Sequence, residues 1–140
     1  MVNVGAVPAL YAGMGCRRGC PASRLAELLL QVLDAQGLPL AAVKGLASID
    51  GKSEETGLRQ LADGLGLPLV FFSAAQLSPF QAQLSHRSST AWQHSGCWGV
   101  AESAALALAA RHGGPPRLQV PRQLNGQATL ALACSRGFDR

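Results

Sequence analysis

The chain has 140 residues, 48% of them apolar and only 14% charged, with a formal net charge of +4. That length suits one domain and that apolar share supplies a core, which excludes a disordered segment and a small scaffold dependent on staples. The positive balance favours an anionic partner, but the absence of a Lys/Arg run and the presence of only one Tyr and four Phe argue against nucleic acid.

In chain order, residues 7–13 (VPALYAG) are short and apolar and predict a buried strand. Nothing before them reads as an export signal, so a cytoplasmic protein is expected. Cys16, Cys20, Cys97 and Cys134 are then free thiols of a reducing compartment. Residues 13–21 (GMGCRRGCP) predict a glycine-rich loop. Ala22–Gln36 carries Leu25, Leu28, Leu29, Val32 and Leu33 at helical spacing, closed by Gly37 and Pro39.

Residues 40–48 predict a second strand. Ser53 predicts the cap of a helix running to about Leu65, with Glu54 and Glu55 in its first turn. Gly64, Gly66 and Pro68 end that helix, and residues 69–72 predict a third strand. A short helix broken near Pro79 occupies residues 73–84, then a polar loop runs over 85–97. Residues 99–112 predict a third long helix; Glu102 and Arg111 within it argue for a core helix and against a membrane span. Residues 117–124 and 128–134 predict two strands across Asn125-Gly126, the pair favoured in a type I′ hairpin turn. The sum is an α/β protein: a three-layer α/β/α sandwich on a mostly parallel open sheet of about five strands, with a C-terminal antiparallel hairpin.

Ligands of such sheets sit beyond the carboxyl ends of the strands, beside helix N-termini. The glycine-rich loop falls there, with Arg17 and Arg18 as planar donors suited to carboxylate or phosphate. A solvated turn is the bland alternative. The spacing of Gly13, Gly15 and Gly19 is one residue longer than a dinucleotide fingerprint, the acidic partner is absent at its place, and no G-K-[ST] follows. No nucleotide cofactor is expected. Cys16 and Cys20 with His94 and Cys97 could supply three thiolates and an imidazole, but the C-x₃-C spacing is loose and two arginines oppose a cation. No metal is expected. Cys16, beside those arginines and a helix start, is a candidate for a lowered thiol pKa, although a packed thiol is the commoner outcome. Two further polar clusters flank helix starts: residues 47–58 with Lys52 and Glu55, and residues 94–106 with Gly96, Trp98, Gly99 and Glu102. Each alone also fits an ordinary capped helix.

Five stretches together resemble one family: residues 13–19 (GMGCRRG), 48–58 (SIDGKSEETGL), 71–77 (FFSAAQL), 96–106 (GCWGVAESAAL) and 129–133 (TLALA). They resemble, in order and over nearly the whole chain, the family formed by the CobE proteins of cobalamin (vitamin B12) biosynthesis and the C-terminal domain of CbiG. The resemblance implies a place in corrin-ring synthesis. In that family CbiG, which has an additional N-terminal region, opens a ring-A δ-lactone and releases acetaldehyde. A first strand by residue 7 makes this chain look like the free-standing form, a single domain over residues 1–140.

The resemblance implies a corrinoid or precorrin partner rich in carboxylates. It implies ligand-binding roles for Gly15, Cys16, Arg17, Arg18, Gly19, Lys52, Glu55, Ser95, Gly96, Trp98, Gly99 and Glu102, which should line one concave site. Other enzymes of the pathway are further candidate partners. The expected role is binding or carrying a precorrin or hydrogenobyrinic-acid-type intermediate. The alternative is a lactone hydrolase with Glu55 or His94 as base and the amides of residues 15–19 as oxyanion donors.

Overall fold

The computed structural model describes residues 9–85, 99–126 and 128–135. In chain order these residues form β1 (Leu10–Cys16), α1 (Ala22–Gln36), β2 (Val43–Ile49), α2 (Thr56–Leu65), β3 (Leu69–Phe72), a single helical turn α3 (Ala74–Leu77), α4 (Val100–Arg111), β4 (Pro116–Leu124) and β5 (Ala128–Ser135). Short 3₁₀ turns at Leu40–Ala42, Asp50–Lys52 and Ser78–Gln83 punctuate them.

The five strands make one sheet in the order β3-β2-β1-β5-β4. β1, β2 and β3 pair in parallel, and β5 runs antiparallel to both of its neighbours. Four of the five strands therefore point the same way, as the mostly parallel reading expects. The antiparallel strand is interior, and β4 takes the edge. Pro116 and Pro121 lie in β4, where an edge strand tolerates the missing N–H.

The helices divide between the two faces. β1, α1, β2, α2 and β3 follow one another outward, so the right-handed crossovers put α1 and α2 on one face. Leu25, Leu28, Leu29, Val32 and Leu33 of α1 and Leu58, Leu61 and Ala62 of α2 pack there against Leu10, Met14, Val43 and Leu46. Both helices end at a glycine in the left-handed region, Gly37 at φ 66° and Gly66 at φ 68°. The following Leu38 and Leu67 donate back to Leu33 and Ala62, which satisfies carbonyls the helix leaves open. After β3 the chain returns across the sheet to β4, so α4 covers the opposite face.

Every residue from 101 to 109 is buried. The sheet covers one side of α4, and residues from β3 to the Ser78–Gln83 turn, Leu77 and Phe80 among them, pack into the same core. A helix apolar on all sides is stable only when enclosed in this way. No described helix is long and apolar enough to cross a membrane.

Four expectations change. The first strand is 10–16, so Gly13 and Gly15 belong to β1. A Cβ at Gly13 would collide with the Ala101 carbonyl and the Ala105 amide nitrogen; glycine lets α4 lie directly on β1. The second strand begins at Val43, because residues 40–42 form a 3₁₀ turn. α2 begins at Thr56, and its cap residue is Glu55, whose side chain does not cap it. Ser53 instead offers its carbonyl to the Arg59 guanidinium, at 2.6 and 2.9 Å. The hairpin is not a two-residue type I′ turn. That turn needs positive φ at both central residues, and no described non-glycine residue has one. Leu124 pairs with Thr129. The Asn125 side chain accepts the Ala128 N–H at 3.0 Å and donates to the Arg24 carbonyl at 3.3 Å, a local side-chain bond competing with the tight turn.

Candidate functional site

The sheet changes winding direction at β1, with β2 on one side and β5 on the other. The carboxyl end of such a strand is where open α/β sheets leave a crevice. β1 and β2 are last paired at Gly13 and Ala47. One step further, the buried Ser48 hydroxyl donates to the Met14 carbonyl at 2.6 Å. A side chain thus serves a backbone acceptor just where the ladder stops.

Beyond Cys16 the chain makes a four-residue turn. The Cys20 N–H donates to the Arg17 carbonyl at 3.0 Å, and Gly19 has φ 77°. This is the type II pattern, which needs a glycine-like conformation at its third residue. Arg17, Arg18 and Gly19 are exposed, and Cys16 is half-buried. The Gly19 N–H donates to Glu55 Oε1 at 2.8 Å, joining two segments 36 positions apart. Residues 18–21 and 54–57, with Gln60, enclose a cleft of about 410 Å³.

Lys52 closes the Asp50–Lys52 turn and is half-buried. Its charge acts on the Cys16 thiol. Of the two readings of Cys16, the packed thiol holds and the lowered pKa does not. Burial pushes the thiol up to about 11; Lys52 opposes this, while Glu55 and Cys20 add to it. Cys20 is likewise raised, first by burial and then by Glu55. Cys16, Cys20 and Cys134 are free among the described residues, and these residues contain no cluster of three His, Cys, Asp or Glu side chains fit to hold a metal. The salt bridge between described residues, Arg24–Glu27, engages none of Arg17, Arg18 and Lys52.

The third segment reaches the same end of the sheet through Gly99 and Val100. Gly99 is buried and caps α4, its carbonyl accepting the Ser103 N–H at 3.1 Å and the Ser103 hydroxyl. Val100 sits beside Gly15, with its Cβ 3.9 Å from where a Gly15 side chain would begin. Glu102 departs from expectation. It is 1% exposed and turned toward β4. Its Oε1 accepts the Ser85 N–H at 2.7 Å; its Oε2 accepts the Arg122 N–H at 2.8 Å and also the Ser85 hydroxyl. The carboxylate ties α4 to β4 and to the end of the α3 segment, and does not line the cleft. His94, Ser95, Gly96, Cys97 and Trp98 lie outside the described residues.

Sequence reasoning passed over Ser48, Gly57 and Gln60 as site neighbours. Gly57 had a readable signal: an isolated glycine inside a helical pattern often marks close approach. A side chain there would strike the Cys20 carbonyl, so α2 can press against the turn only without one.

The family model described as cobalamin synthesis G C-terminus matches residues 10–133. Protein CobE of Sinorhizobium sp is 33% identical over 124 residues, 89% of this chain and 79% of that protein. The cobalt-precorrin-5A hydrolase of Priestia megaterium is 29% identical over 124 residues; the match spans 89% of this chain but 32% of that enzyme. Among solved structures, the crystal structure of CobE, a protein from the cobalamin (vitamin B12) biosynthetic pathway, superimposes with a TM-score of 0.86 at 44% identity. It covers 92% of this chain and 94% of that one.

Proposed function

The chain belongs to the cobalamin synthesis G C-terminus family of cobalamin biosynthesis proteins, and from that premise we propose that it binds a corrin-ring intermediate through the cleft at the carboxyl end of β1. The observation that carries the reading is the set of cations at that end of the sheet: Arg18 lines the cleft, Arg17 precedes it in the same exposed turn, and the charge of Lys52 reaches the Cys16 thiol, with no salt bridge to any of the three among the described residues. Corrin intermediates carry several acetate and propionate carboxylates. Guanidinium groups bind carboxylates in planar, charge-assisted pairs, and an ammonium adds a point charge. The start of α1, whose cap residue Pro21 makes no side-chain bond, adds the positive end of a helix dipole.

A second reading has one observation in its favour: a relative named cobalt-precorrin-5A hydrolase matches 89% of this chain. Hydrolysis needs a base free to activate water. The Glu55 carboxylate, the described candidate, is engaged by the Gly19 amide. The chain spans 32% of that enzyme. Binding without turnover is therefore the reading preferred here.

The test is titration of the purified protein with hydrogenobyrinic acid, followed by absorbance and gel filtration. Binding predicts co-elution and a saturable spectral change without acetaldehyde release. Arg17→Ala should weaken binding by about 1.5–3 kcal/mol, roughly 10- to 150-fold in Kd. Its folding midpoint should stay put, because an exposed arginine outside any salt bridge adds little stability. Equal affinity in parent and variant would remove the arginine from the site. Acetaldehyde from a δ-lactone precorrin would favour the hydrolase.

A further inference from the structure

We propose that Glu55 is a positioning residue that selects the peptide orientation of the 17–20 turn, holding the Gly19 N–H toward its own carboxylate and the Arg18 carbonyl away from it. The inference rests on the binding role just proposed and assigns a task to one residue of that site.

Types I and II differ chiefly in the peptide between the second and third residues, here Arg18 and Gly19. Passing from one to the other changes the second residue's ψ from about −30° to +120° and the third residue's φ from about −90° to +80°. That rotates the connecting peptide by roughly half a turn and exchanges the sides taken by its N–H and its C=O. Glycine tolerates both signs of φ, so the residue at position 19 permits either turn without dictating one. Something else must choose, and Glu55 Oε1 lies 2.8 Å from the Gly19 nitrogen. In the type I arrangement the Arg18 carbonyl would face that carboxylate, oxygen against oxygen. In the observed arrangement, with Gly19 at φ 77°, an N–H donates to it.

The residue that carries the carboxylate is anchored through its backbone. Glu55 is the residue before α2, and its own N–H donates to the Lys52 carbonyl at 3.0 Å. Two residues on, Gly57 lets the first turn of α2 press against the Cys20 carbonyl. The turn is thus clamped to α2 at Gly19 and at Cys20. The clamp orients the backbone that follows the two exposed arginines. A negative charge in a cleft for carboxylates is unfavourable by itself. Spending it on a backbone amide gives it a purpose consistent with an anionic ligand.

Two substitutions with opposite consequences test this. Glu55→Gln keeps an oxygen acceptor and removes the charge. Glu55→Ala removes both. In the ligand-free protein, the Gly19 amide resonance in ¹⁵N–¹H spectra should stay near its parent position in Glu55→Gln and move markedly in Glu55→Ala. Kd for hydrogenobyrinic acid should be lower in Glu55→Gln, which keeps the acceptor and removes the repelling charge, and about ten-fold higher in Glu55→Ala. A Gly19 amide indifferent to Glu55→Ala would overturn the proposal whatever the ligand does. Tighter binding in both variants would also overturn it, marking Glu55 as a repulsive charge only. If the parent does not bind hydrogenobyrinic acid, the binding role fails, and the amide spectra still decide whether Glu55 sets the turn.

Discussion

Replacing Gly13 by Ala should be among the most damaging single-methyl changes in this protein. Gly13 lies in β1 beneath α4, and a Cβ there would stand 1.9 Å from the Ala101 carbonyl oxygen and 2.4 Å from the Ala105 nitrogen. Both atoms are backbone of a buried helix, so neither can rotate aside. To restore an ordinary contact α4 would have to withdraw by more than ~1 Å. It is enclosed by the sheet on one side and by residues such as Leu77 and Phe80 in the same core, and interiors packed to crystal density do not yield smoothly. Overpacking costs ~1–3 kcal/mol and sometimes more; two backbone clashes put this site at the upper end, about 3 kcal/mol. For a chain of this size that lowers Tm by roughly 10 °C. Gly64→Ala is the matched control. Gly64 lies in α2 with nothing within 4 Å of the position a Cβ would take, so alanine should stabilise by ~0.5–1 kcal/mol through helix propensity. Thermal and urea unfolding of the two variants should therefore move in opposite directions. A Gly13→Ala protein melting within about 2 °C of the parent would refute the claim that β1 and α4 touch at this point.

Glu102→Gln should lose about 2 kcal/mol in urea unfolding, because an amide keeps one acceptor oxygen and turns an NH₂ toward donors at Ser85 and Arg122; its affinity for hydrogenobyrinic acid should match the parent's, as a packing role requires. Cys16 should alkylate slowly at neutral pH, with a rate rising through pH 10 toward a half-point near 11. Its raised folded-state pKa also makes a stabilising contribution that is complete below about pH 9 and is lost as pH rises through 11, since the unfolded chain releases the proton first. Cys16→Ser should flatten that stretch of the stability profile, and an unchanged slope would count against it.

The features carried by periodicity were legible from the sequence. The leucines of α1, the Ala- and Leu-rich content of α4 and the short apolar run of β3 matched the elements found. The misread positions were those where a long-range contact outweighed a local preference. The GMGC run reads as a loop by glycine content, yet Met14, Gly15 and Cys16 continue β1 because they pair with Leu130, Thr129 and Ala128 of β5, a partner far along the chain. Asn125-Gly126 reads as a tight turn, but the Asn125 side chain bonds Ala128 and Arg24. Two of the candidate segments were found as helix starts at strand ends. What the sequence could not convey was which carboxylate faced the cleft. Glu55 and Glu102 look alike as acidic residues near helix starts. The first meets the Gly19 amide at the site, and the second is buried against β4.

That difference bears on which carboxylates stand near the exposed cations at this end of the sheet. The whole chain holds 12 Lys and Arg against 8 Asp and Glu, an excess too small by itself to guarantee a cationic patch. The local balance depends on what the acidic residues do. Glu27 pairs with Arg24 on the exposed face of α1. Glu102 spends its charge on amides inside the fold, and Glu55 is occupied by one at the rim. None of these neutralises Arg17, Arg18 or Lys52. Carboxylates bonded to backbone N–H groups stay in place when a ligand arrives, whereas a carboxylate paired to an arginine would have to be displaced by each ligand carboxylate. At the cleft itself Arg18 faces Glu54 as well as the occupied Glu55, so an anion that pairs with Arg18 has one exposed carboxylate to compete with, and the charge-assisted pair has to outweigh it.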